Sequence, residues 1–395
     1  MAMATAHDTL SVVVGAGGTG GHIYPGLAVA EALRRAVPDA VISFVGTERG
    51  LETKLIPEAG YRLHTVDMIP FDPSLGARRF LLPADLLRSG LQARRVIEEQ
   101  GAQVVIGMGG YPSAPAVLGA RLAGRPALVH ESNAVPGRAN RFAATLTPHV
   151  ALAFDRTRRH LPARTAERAR TVGMPLVGAV AGLGRGAREA LRDTARRAFG
   201  VPPRARVVLF NGGSLGAARL TEAAVGLARQ WRTRPDVHLV IKTGPAALED
   251  VRARLAADGS DRVATAVGYL DRMDLAYAAA DLMVCRAGSA TVAELAELGM
   301  PAVLVPYPHA PHDHQTHNAR VLSDAGAGLL LPDAETDGDR LAELIGPLLA
   351  DPRRLAAMSA AARPGTHAAA AGLMAEWALR LAGRAPATTP VLTTS

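Results

Sequence analysis

GAGGTGGH at residues 15–22 and NGGSLGA at residues 211–217 are glycine-rich loops, and each directly follows a short run rich in β-branched residues. A strand that ends in glycines and opens a helix presents backbone N–H groups and the positive end of the helix dipole, where anions such as pyrophosphates bind. The two loops lie roughly half a chain apart. They predict two phosphate-binding α/β domains that face one cleft.

Strand-like apolar runs alternate with helical patterns around both loops, which indicates parallel sheets built from βαβ units. The first half carries such runs at residues 10–14, 40–45, 103–108, 127–130 and 149–154. The second half carries them at residues 206–210, 237–242, 262–267, 281–285 and 302–306. We therefore predict two separate doubly wound, Rossmann-like sheets.

The change of domain is predicted near residue 177, because VGMPL at 172–176 is the last strand-like piece before a helix rich in alanine and arginine. The final helix, at about 366–383, has no strand after it and is expected to pack back on the first domain. The predicted parts are an N-terminal domain, a C-terminal domain and a disordered tail, at residues 1–176, 177–365 and 384–395.

The composition indicates a cytoplasmic protein. The chain has 395 residues, 48% of them hydrophobic, which suits two domains of common size. No apolar stretch reaches the roughly 18 residues of a membrane-spanning helix, and the first ten residues lack a signal-peptide pattern. The single cysteine, Cys285, excludes an internal disulfide and a thiolate metal cluster, and its place at the end of an apolar run favours a buried position.

The net charge of +8 favours anionic partners. Aromatic residues make up only 4% of the chain and no nucleic-acid-binding motif is present, so phosphates or lipid headgroups are expected rather than nucleic acid. The segment 71–95 mixes leucines and Phe80 with arginines, and such a basic amphipathic stretch can lie at an anionic membrane surface. The alternative is an ordinary helix whose leucines pack inward.

His22 is the candidate catalytic residue of the first loop, because it lies where the loop becomes a helix. An imidazole with a free pKa near 6.5 can take a proton from a hydroxyl at neutral pH. The alternative is a helix-capping or core histidine. The loop also matches the G-x-G-x-x-G pattern of dinucleotide-binding proteins, but the acidic residue expected after the second strand is missing, since Glu48 lies too far along.

The second loop offers Ser214, and a third glycine-bearing turn at 286–291 opens another helix, so two helix N-termini are expected near one anion. Glu294 lies in that helix and can accept hydrogen bonds from a sugar diol, although a solvated helix carboxylate is the alternative reading. The histidine-rich stretch PYPHAPHDHQTHNA at 306–319 matches no zinc signature, and sugar recognition is the preferred interpretation over a metal site.

Six motifs, in order and with matching spacing, resemble the MurG family of bacterial glycosyltransferases. They are GGTGGHIYPGLAVAEAL, GMGGYPSAPAVLGA, HESNAVPGRANR, GGSLGAARL, DLAYAAADLMVCRAGSATVAEL and PYPHAPHDHQTHNA, between about residues 12 and 320. The resemblance implies a GT-B fold with two Rossmann-like domains and an inverting transfer of N-acetylglucosamine from UDP-GlcNAc to lipid I. It also implies that no metal or other cofactor takes part.

The same resemblance assigns roles to residues of this chain. It implies that His22 is the base, beside the glycine loop and the acceptor. The acceptor-side residues it implies are Thr19, Gly20, Gly21, Glu131 and Asn133. The donor-side residues it implies are Ser214, Leu270, Ser289, Ala290, Thr291, Val292, Ala293, Glu294, His314 and Gln315. Because lipid I is embedded in the membrane, the family also implies peripheral binding at the cytoplasmic face of the cell membrane.

The chain departs from the family pattern close to the substrates. Met174-Pro175-Leu176-Val177 replaces an NPVR segment and lacks its arginine, which is expected to meet phosphate, so another cation must replace it or the phosphate is bound more weakly. Ser132, Leu215, Ser289 and Ala290 also differ from the usual motif residues. A specialised paralogue with another acceptor therefore stays as an alternative. Two less favoured alternatives are a UDP-GlcNAc epimerase of the same two-domain architecture and a nicotinamide oxidoreductase, which the missing acidic residue disfavours.

Overall fold

The computed structural model describes residues 9–68, 82–213, 216–362 and 366–384. The chain divides into two compact units, one formed by residues up to Val177 together with those from Ala368 onward, and the other by Gly178–His367. The predicted disordered tail lies outside the described residues except for Arg384.

The first unit contains a wholly parallel sheet, whose seven described strands run in the order β3-β2-β1-β4-β5-β6-β7. The strands are β1 Ser11–Gly15, β2 Val41–Gly46, β3 Arg62–Thr65, β4 Val104–Gly107, β5 Ala127–Glu131, β6 His149–Leu152 and β7 Arg170–Thr171. The helices are α1 Gly20–Ala36, α2 Glu52–Glu58, α3 Leu82–Glu99, α4 Ser113–Leu122, α5 Arg138–Leu146 and α6 Ala163–Arg168.

The second unit repeats this plan with six described parallel strands, in the order β10-β9-β8-β11-β12-β13. The strands are β8 Arg206–Asn211, β9 Val237–Lys242, β10 Ala264–Val267, β11 Leu282–Cys285, β12 Ala302–Leu304 and β13 Gly328–Leu330. The helices are α7 Gly178–Ala181, α8 Arg185–Ala198, α9 Ala218–Gln230, α10 Leu248–Ala257, α11 Met273–Ala279, α12 Ser289–Leu298, α13 His314–Ser323, α14 Gly338–Ala350 and α15 Pro352–Ala361.

The last described helix, α16 Ala370–Leu381, belongs to the first unit. Met374, Trp377 and Ala378 are buried in the same apolar core as Val12 of β1 and Leu33 of α1. Strands β1 and β8 carry the continuous apolar runs VVV and VVLF, because helices cover both sides of each sheet and both strand faces are buried.

The prediction of a strand-like piece at 172–176 is wrong. The ladder ends with β7 at Thr171, apart from amide bonds from Val172 and Gly173 to the Leu152 carbonyl. Gly173 then adopts a φ of 90°, which lies outside the range of strands, and Pro175 has no N–H to donate to a ladder.

Strand order reverses between β1 and β4 in the first unit and between β8 and β11 in the second, because each of these pairs is adjacent in its sheet. Doubly wound sheets bind ligands at the carboxyl ends of such strands. The loops that follow β1 and β4, and those that follow β8 and β11, are therefore the places to look for binding residues.

Candidate active site

His22 lies in the first turn of α1, at the reversal point of the first sheet. Thr19 precedes the helix in an extended conformation, and its carbonyl accepts the amide hydrogens of His22 and Ile23. The Thr19 hydroxyl lies 3.4 Å from His22 Nδ1. His22 is partly exposed, whereas Ile23 is fully buried, so the ring occupies the open side of the helix start. Gly20 and Gly21 form the first residues of the helix beside it.

Two glycines of the loop after β4 pack directly against the His22 ring. A Cβ atom on Gly109 would lie 2.9 Å from His22 Cδ2, and one on Gly110 would lie 3.2 Å from His22 Nδ1. Both glycines have φ values, 90° and 76°, that side chains rarely adopt. The loop therefore forms a close-fitting wall for the imidazole that only glycine can provide.

Glu52 holds the first glycine loop in place from behind. Its buried carboxylate accepts hydrogen bonds from the amide of Gly18 at 2.9 Å and from the amide and hydroxyl of Thr47 at 3.1 and 2.8 Å. The Thr47 hydroxyl also lies 2.9 Å from the hydroxyl of Tyr111, in the loop after β4. One carboxylate thus connects the loops that follow β1, β2 and β4. Glu52 lies in no motif that marks it as a functional residue from the sequence alone.

Glu131 ends β5 and organises the loop that follows it. Its carboxylate accepts the amides of Asn133 and Gly137 and the side-chain amide of Asn140, at 2.8, 3.1 and 2.9 Å. Burial raises the pKa of Glu131, while these hydrogen bonds act in the opposite direction. Asn133 is partly exposed and also donates to Glu131 and to Ser132. Glu131 therefore shapes the loop, and Asn133 is the more accessible of the two predicted acceptor residues.

In the second unit, Gly213 follows β8 in the second glycine loop. It has a φ of 86°, its amide bonds to the Asn211 side chain at 2.9 Å, and no atom of a described residue outside its chain neighbours lies within 4 Å of its Cβ position. Gly212 is closely packed, because a Cβ there would lie 2.7 Å from that of Ala217. The predicted donor residue Ser214 and its neighbour Leu215 lie outside the described residues.

The loop after β11 is fixed by side chains from elsewhere in the second unit. The Gln315 side-chain oxygen accepts the amides of Ala287 and Tyr307, at 3.1 and 2.9 Å, and Asn318 donates to the Ala287 carbonyl. Arg286 forms a largely buried ion pair with Asp333 at 2.6 Å. Gln315, predicted to contact the donor, therefore also connects the loop after β11 to the loop after β12.

Glu294 lies on α12 one turn beyond the helix start, partly exposed. The hydroxyl of Tyr277, a fully buried residue on α11, donates to its carboxylate at 2.5 Å. Burial raises the pKa of Glu294 to about 7, against the opposing effects of Tyr277 and of the Lys242 ammonium. This carboxyl group therefore changes protonation near neutral pH. Tyr277, like Glu52, could not be identified from the sequence pattern.

The remaining predicted donor residues differ in their accessibility. Ala290 and Thr291 are partly exposed at the start of α12, whereas Ser289, Val292 and Ala293 are buried. Leu270 is buried in the segment between β10 and α11. A ligand at this helix start would therefore meet its first residues and backbone amides rather than the side chains of Val292 and Ala293.

The histidine-rich segment forms a turn rather than a cluster of metal-binding side chains. His312 and Asp313 both have positive φ values, 54° and 51°, and His314 Nδ1 lies 2.8 Å from the Pro311 carbonyl oxygen. Within the described part of the chain, no group of three or more histidine, cysteine, aspartate or glutamate side chains is placed to hold a metal ion. Cys285 is buried and unpaired, as predicted.

The predicted membrane segment 71–95 is described only from Leu82 onward, so Phe80 and Leu81 lie outside the described residues. The rest belongs to α3, which packs its Gly90 closely against Leu118 of α4. Leu87 and Leu91, one turn apart, are 52% and 44% exposed. Among the described helices, none is long and apolar enough to cross a membrane.

The sequence matches the glycosyltransferase family 28 N-terminal domain over residues 12–151 and the glycosyltransferase family 28 C-terminal domain over residues 207–374. A protein of Mycobacterium bovis, named UDP-N-acetylglucosamine–N-acetylmuramyl-(pentapeptide) pyrophosphoryl-undecaprenol N-acetylglucosamine transferase, is 42% identical over 97% of this chain and 92% of its own. The protein of the same name from Desulforudis audaxviator is 38% identical over 90% of this chain and 94% of its own.

The chain belongs to the MurG family. The solved MurG structure from Acinetobacter baumannii, 28% identical, covers 94% of this chain and 99% of its own with a TM-score of 0.73. The resemblance inferred from the six motifs and the GT-B fold class are therefore confirmed. The reversal point of each sheet carries loops by which the MurG resemblance was identified.

Proposed function

We propose that this chain transfers N-acetylglucosamine from UDP-GlcNAc to the 4-hydroxyl of the muramyl sugar of lipid I, which yields lipid II for peptidoglycan synthesis. The observation that carries the proposal is the His22 ring enclosed by Gly109 and Gly110, in a MurG-family chain whose relatives are named for this transfer. The chain is accordingly a UDP-GlcNAc-dependent hexosyltransferase.

His22 acts as the general base. As the muramyl 4-hydroxyl oxygen attacks the anomeric carbon, its proton passes to a ring nitrogen of His22, and the bond between that carbon and the UDP oxygen breaks. Attack from the face opposite UDP inverts the anomeric centre and gives a β-1,4 linkage. A single displacement of this kind needs one base. The contact between Thr19 and His22 Nδ1 supports the reaction by orienting the ring.

The donor is bound by the second unit. The starts of α9 and α12 direct backbone amides and helix dipoles towards the phosphates, and this preorganised field stabilises the charge on the departing UDP without a metal ion. Glu294, oriented by Tyr277, accepts hydrogen bonds from the ribose hydroxyls. Among the described residues outside its chain neighbours, none lies within 4 Å of the Gly213 Cβ position, which supports close approach of the pyrophosphate to the backbone.

Acceptor-dependent release of UDP is the experiment that tests this function. The purified protein is incubated with UDP-GlcNAc alone, and in parallel with UDP-GlcNAc and a soluble lipid I analogue. We expect UDP and a disaccharide product only in the second reaction. Equal consumption of UDP-GlcNAc without the acceptor would instead indicate an epimerase or hydrolase.

We also propose that α3 docks the protein on the cytoplasmic face of the cell membrane. The exposed leucines Leu87 and Leu91 share α3 with the exposed Arg95, so apolar insertion and attraction to anionic lipid occur together. Arg88, on the same helix, is paired with Asp67 at 2.9 Å. Replacing both leucines with glutamine should lower sedimentation with anionic vesicles. Leu373→Gln, at a leucine of the same unit that is 42% exposed on α16, is the matched control and should leave sedimentation unchanged. Equal binding by the double variant and the wild type would contradict the docking.

A further inference from the structure

Lys242 is the last residue of β9, at the carboxyl edge of the second sheet. In the ladder it is paired with Asn211, the last residue of β8, from which the second glycine loop begins. Its side chain is buried, at 8% exposure, although it carries an ammonium group. The ammonium donates a hydrogen bond to the carbonyl of Gly213 at 3.1 Å.

The surroundings of this ammonium do not neutralise it. Across the described parts of the second unit, no carboxylate lies within 4 Å of Lys242 Nζ, and the Gly213 carbonyl is its hydrogen-bond acceptor. The Tyr269 ring centroid lies 5.4 Å away, and this tyrosine is 55% exposed. Glu294 attracts the ammonium from farther off, but its own carboxyl group is partly protonated near neutral pH.

A buried ammonium without a paired carboxylate is costly, because burial removes water and the local groups restore only part of the lost interaction. Burial accordingly lowers the pKa of Lys242. An anion bound beside Gly213 would supply the missing charge, and no described residue outside its chain neighbours comes within 4 Å of the Gly213 Cβ position. The position of the ammonium therefore fits a phosphate group in the donor site.

The sequence gives an independent reason to look for such a cation. Val177 stands where the MurG motif carries an arginine expected to meet phosphate. The chain contains 44 lysines and arginines, and only Lys54 and Lys242 are lysines. The ammonium is a compact point charge with three rotatable donors, whereas a guanidinium is planar and fixed in its geometry.

We propose that Lys242 is the phosphate-binding cation of this chain's donor site, where its ammonium contacts the pyrophosphate of UDP-GlcNAc and stabilises the departing UDP. The inference rests on the proposed function, because it takes UDP-GlcNAc as the donor. Lys242, in the second unit, then supplies the positive charge that an arginine at the position of Val177 supplies in the MurG motif.

Because the chain has only two lysines, selective isotope labelling of lysine gives two side-chain signals, and a Lys54→Arg variant assigns them. We expect the Lys242 signal to shift on addition of UDP and of inorganic pyrophosphate, and the Lys54 signal to stay unchanged. This experiment needs no variant at Lys242, so it does not depend on how such a variant folds. A Lys242 signal that does not move while calorimetry shows UDP binding would overturn the proposal.

Calorimetry on a variant separates phosphate binding from a structural role. Lys242→Gln should weaken UDP about 10–100-fold, the range for a lost charge-assisted hydrogen bond, and leave uridine affinity within about twofold. Lys54→Gln, at the exposed lysine of α2, is the matched control and should change neither affinity. Equal weakening of UDP and uridine by Lys242→Gln would show that the lysine only supports the loop, and would overturn the inference.

The two proposals fail in different ways. Suppose that the wild type binds UDP and forms UDP from UDP-GlcNAc only when the acceptor is present, and that Lys242→Gln binds UDP as tightly as the wild type. The inference about Lys242 is then wrong, and the proposed function stands. If the wild type does not bind UDP, the proposed function fails and the inference with it.

Discussion

Replacing Glu52 by glutamine tests whether a buried carboxylate positions the catalytic loop. Glutamine keeps one side-chain oxygen, which can still accept the two hydrogen bonds from Thr47. Its NH2 group, however, would face the backbone N–H of Gly18. One charge-assisted hydrogen bond is therefore lost, and two hydrogen-bond donors face each other. We expect the Gly15–Thr19 loop, and with it the start of α1 at His22, to shift.

The magnitude follows from the number of bonds affected. A hydrogen bond to a charged group contributes about 1.5–3 kcal/mol, so the variant should lose about 2–3 kcal/mol of unfolding free energy. For a unit of this size that corresponds to a fall in melting temperature of about 4–12 °C. A displacement of about 1 Å at the base can lower turnover about 100-fold, so kcat should fall by about that factor even well below the melting temperature, where the variant is folded.

The assay combines thermal unfolding with acceptor-dependent UDP release at a temperature where the variant is folded. UDP affinity should stay unchanged, because the proposed donor residues belong to the second unit. Glu48→Gln, at an exposed carboxylate four residues earlier, is the control and should behave as the wild type. Wild-type melting and wild-type turnover in Glu52→Gln would refute the positioning role.

Two further substitutions test the two sites separately. Glu294→Gln should weaken UDP-GlcNAc binding by about tenfold at pH 8 and remove its pH dependence. In the wild type, protonation of a carboxyl group with a pKa of about 7 removes the same contact, so binding should weaken about threefold between pH 7 and pH 6, as calorimetry can measure. A flat wild-type profile would contradict the ribose contact. Gly109→Ala places a methyl group 2.9 Å from His22 and should lower kcat far more than Gly124→Ala, which carries a similar positive φ but has nothing within 4 Å of its Cβ position; equal kcat in the two variants would show that the wall around His22 has no role in turnover.

The strands at the centre of both sheets could be predicted because both of their faces are buried, which produces continuous apolar runs. Strands β3, β7 and β13 were missed. They lie at sheet edges, have only two to four residues, and include polar or partly exposed positions such as Arg62 and Arg170. An edge strand receives little of its stability from apolar burial, so its sequence carries a weak pattern.

In the site, too, residues with a strong local sequence pattern could be predicted and those without one could not. His22 and Glu294 could be identified because each follows a glycine turn at the start of a helix, which is a local pattern. Glu52 and Tyr277 act through tertiary hydrogen bonds to residues that are distant in the sequence. In the sequence, Lys242 is only the polar end of a buried strand. The fold places the Gly213 carbonyl, in the loop after the adjacent strand β8, within hydrogen-bonding distance of its ammonium.

The most direct test of the account is the turnover of His22→Ala with UDP-GlcNAc and a lipid I analogue, measured together with UDP affinity. Loss of a general base typically costs about 10²–10⁴-fold in rate. We predict a fall in kcat of that size with UDP affinity within about twofold of the wild type. Wild-type turnover in this variant would contradict the account, because the proton would then leave the acceptor hydroxyl by another route.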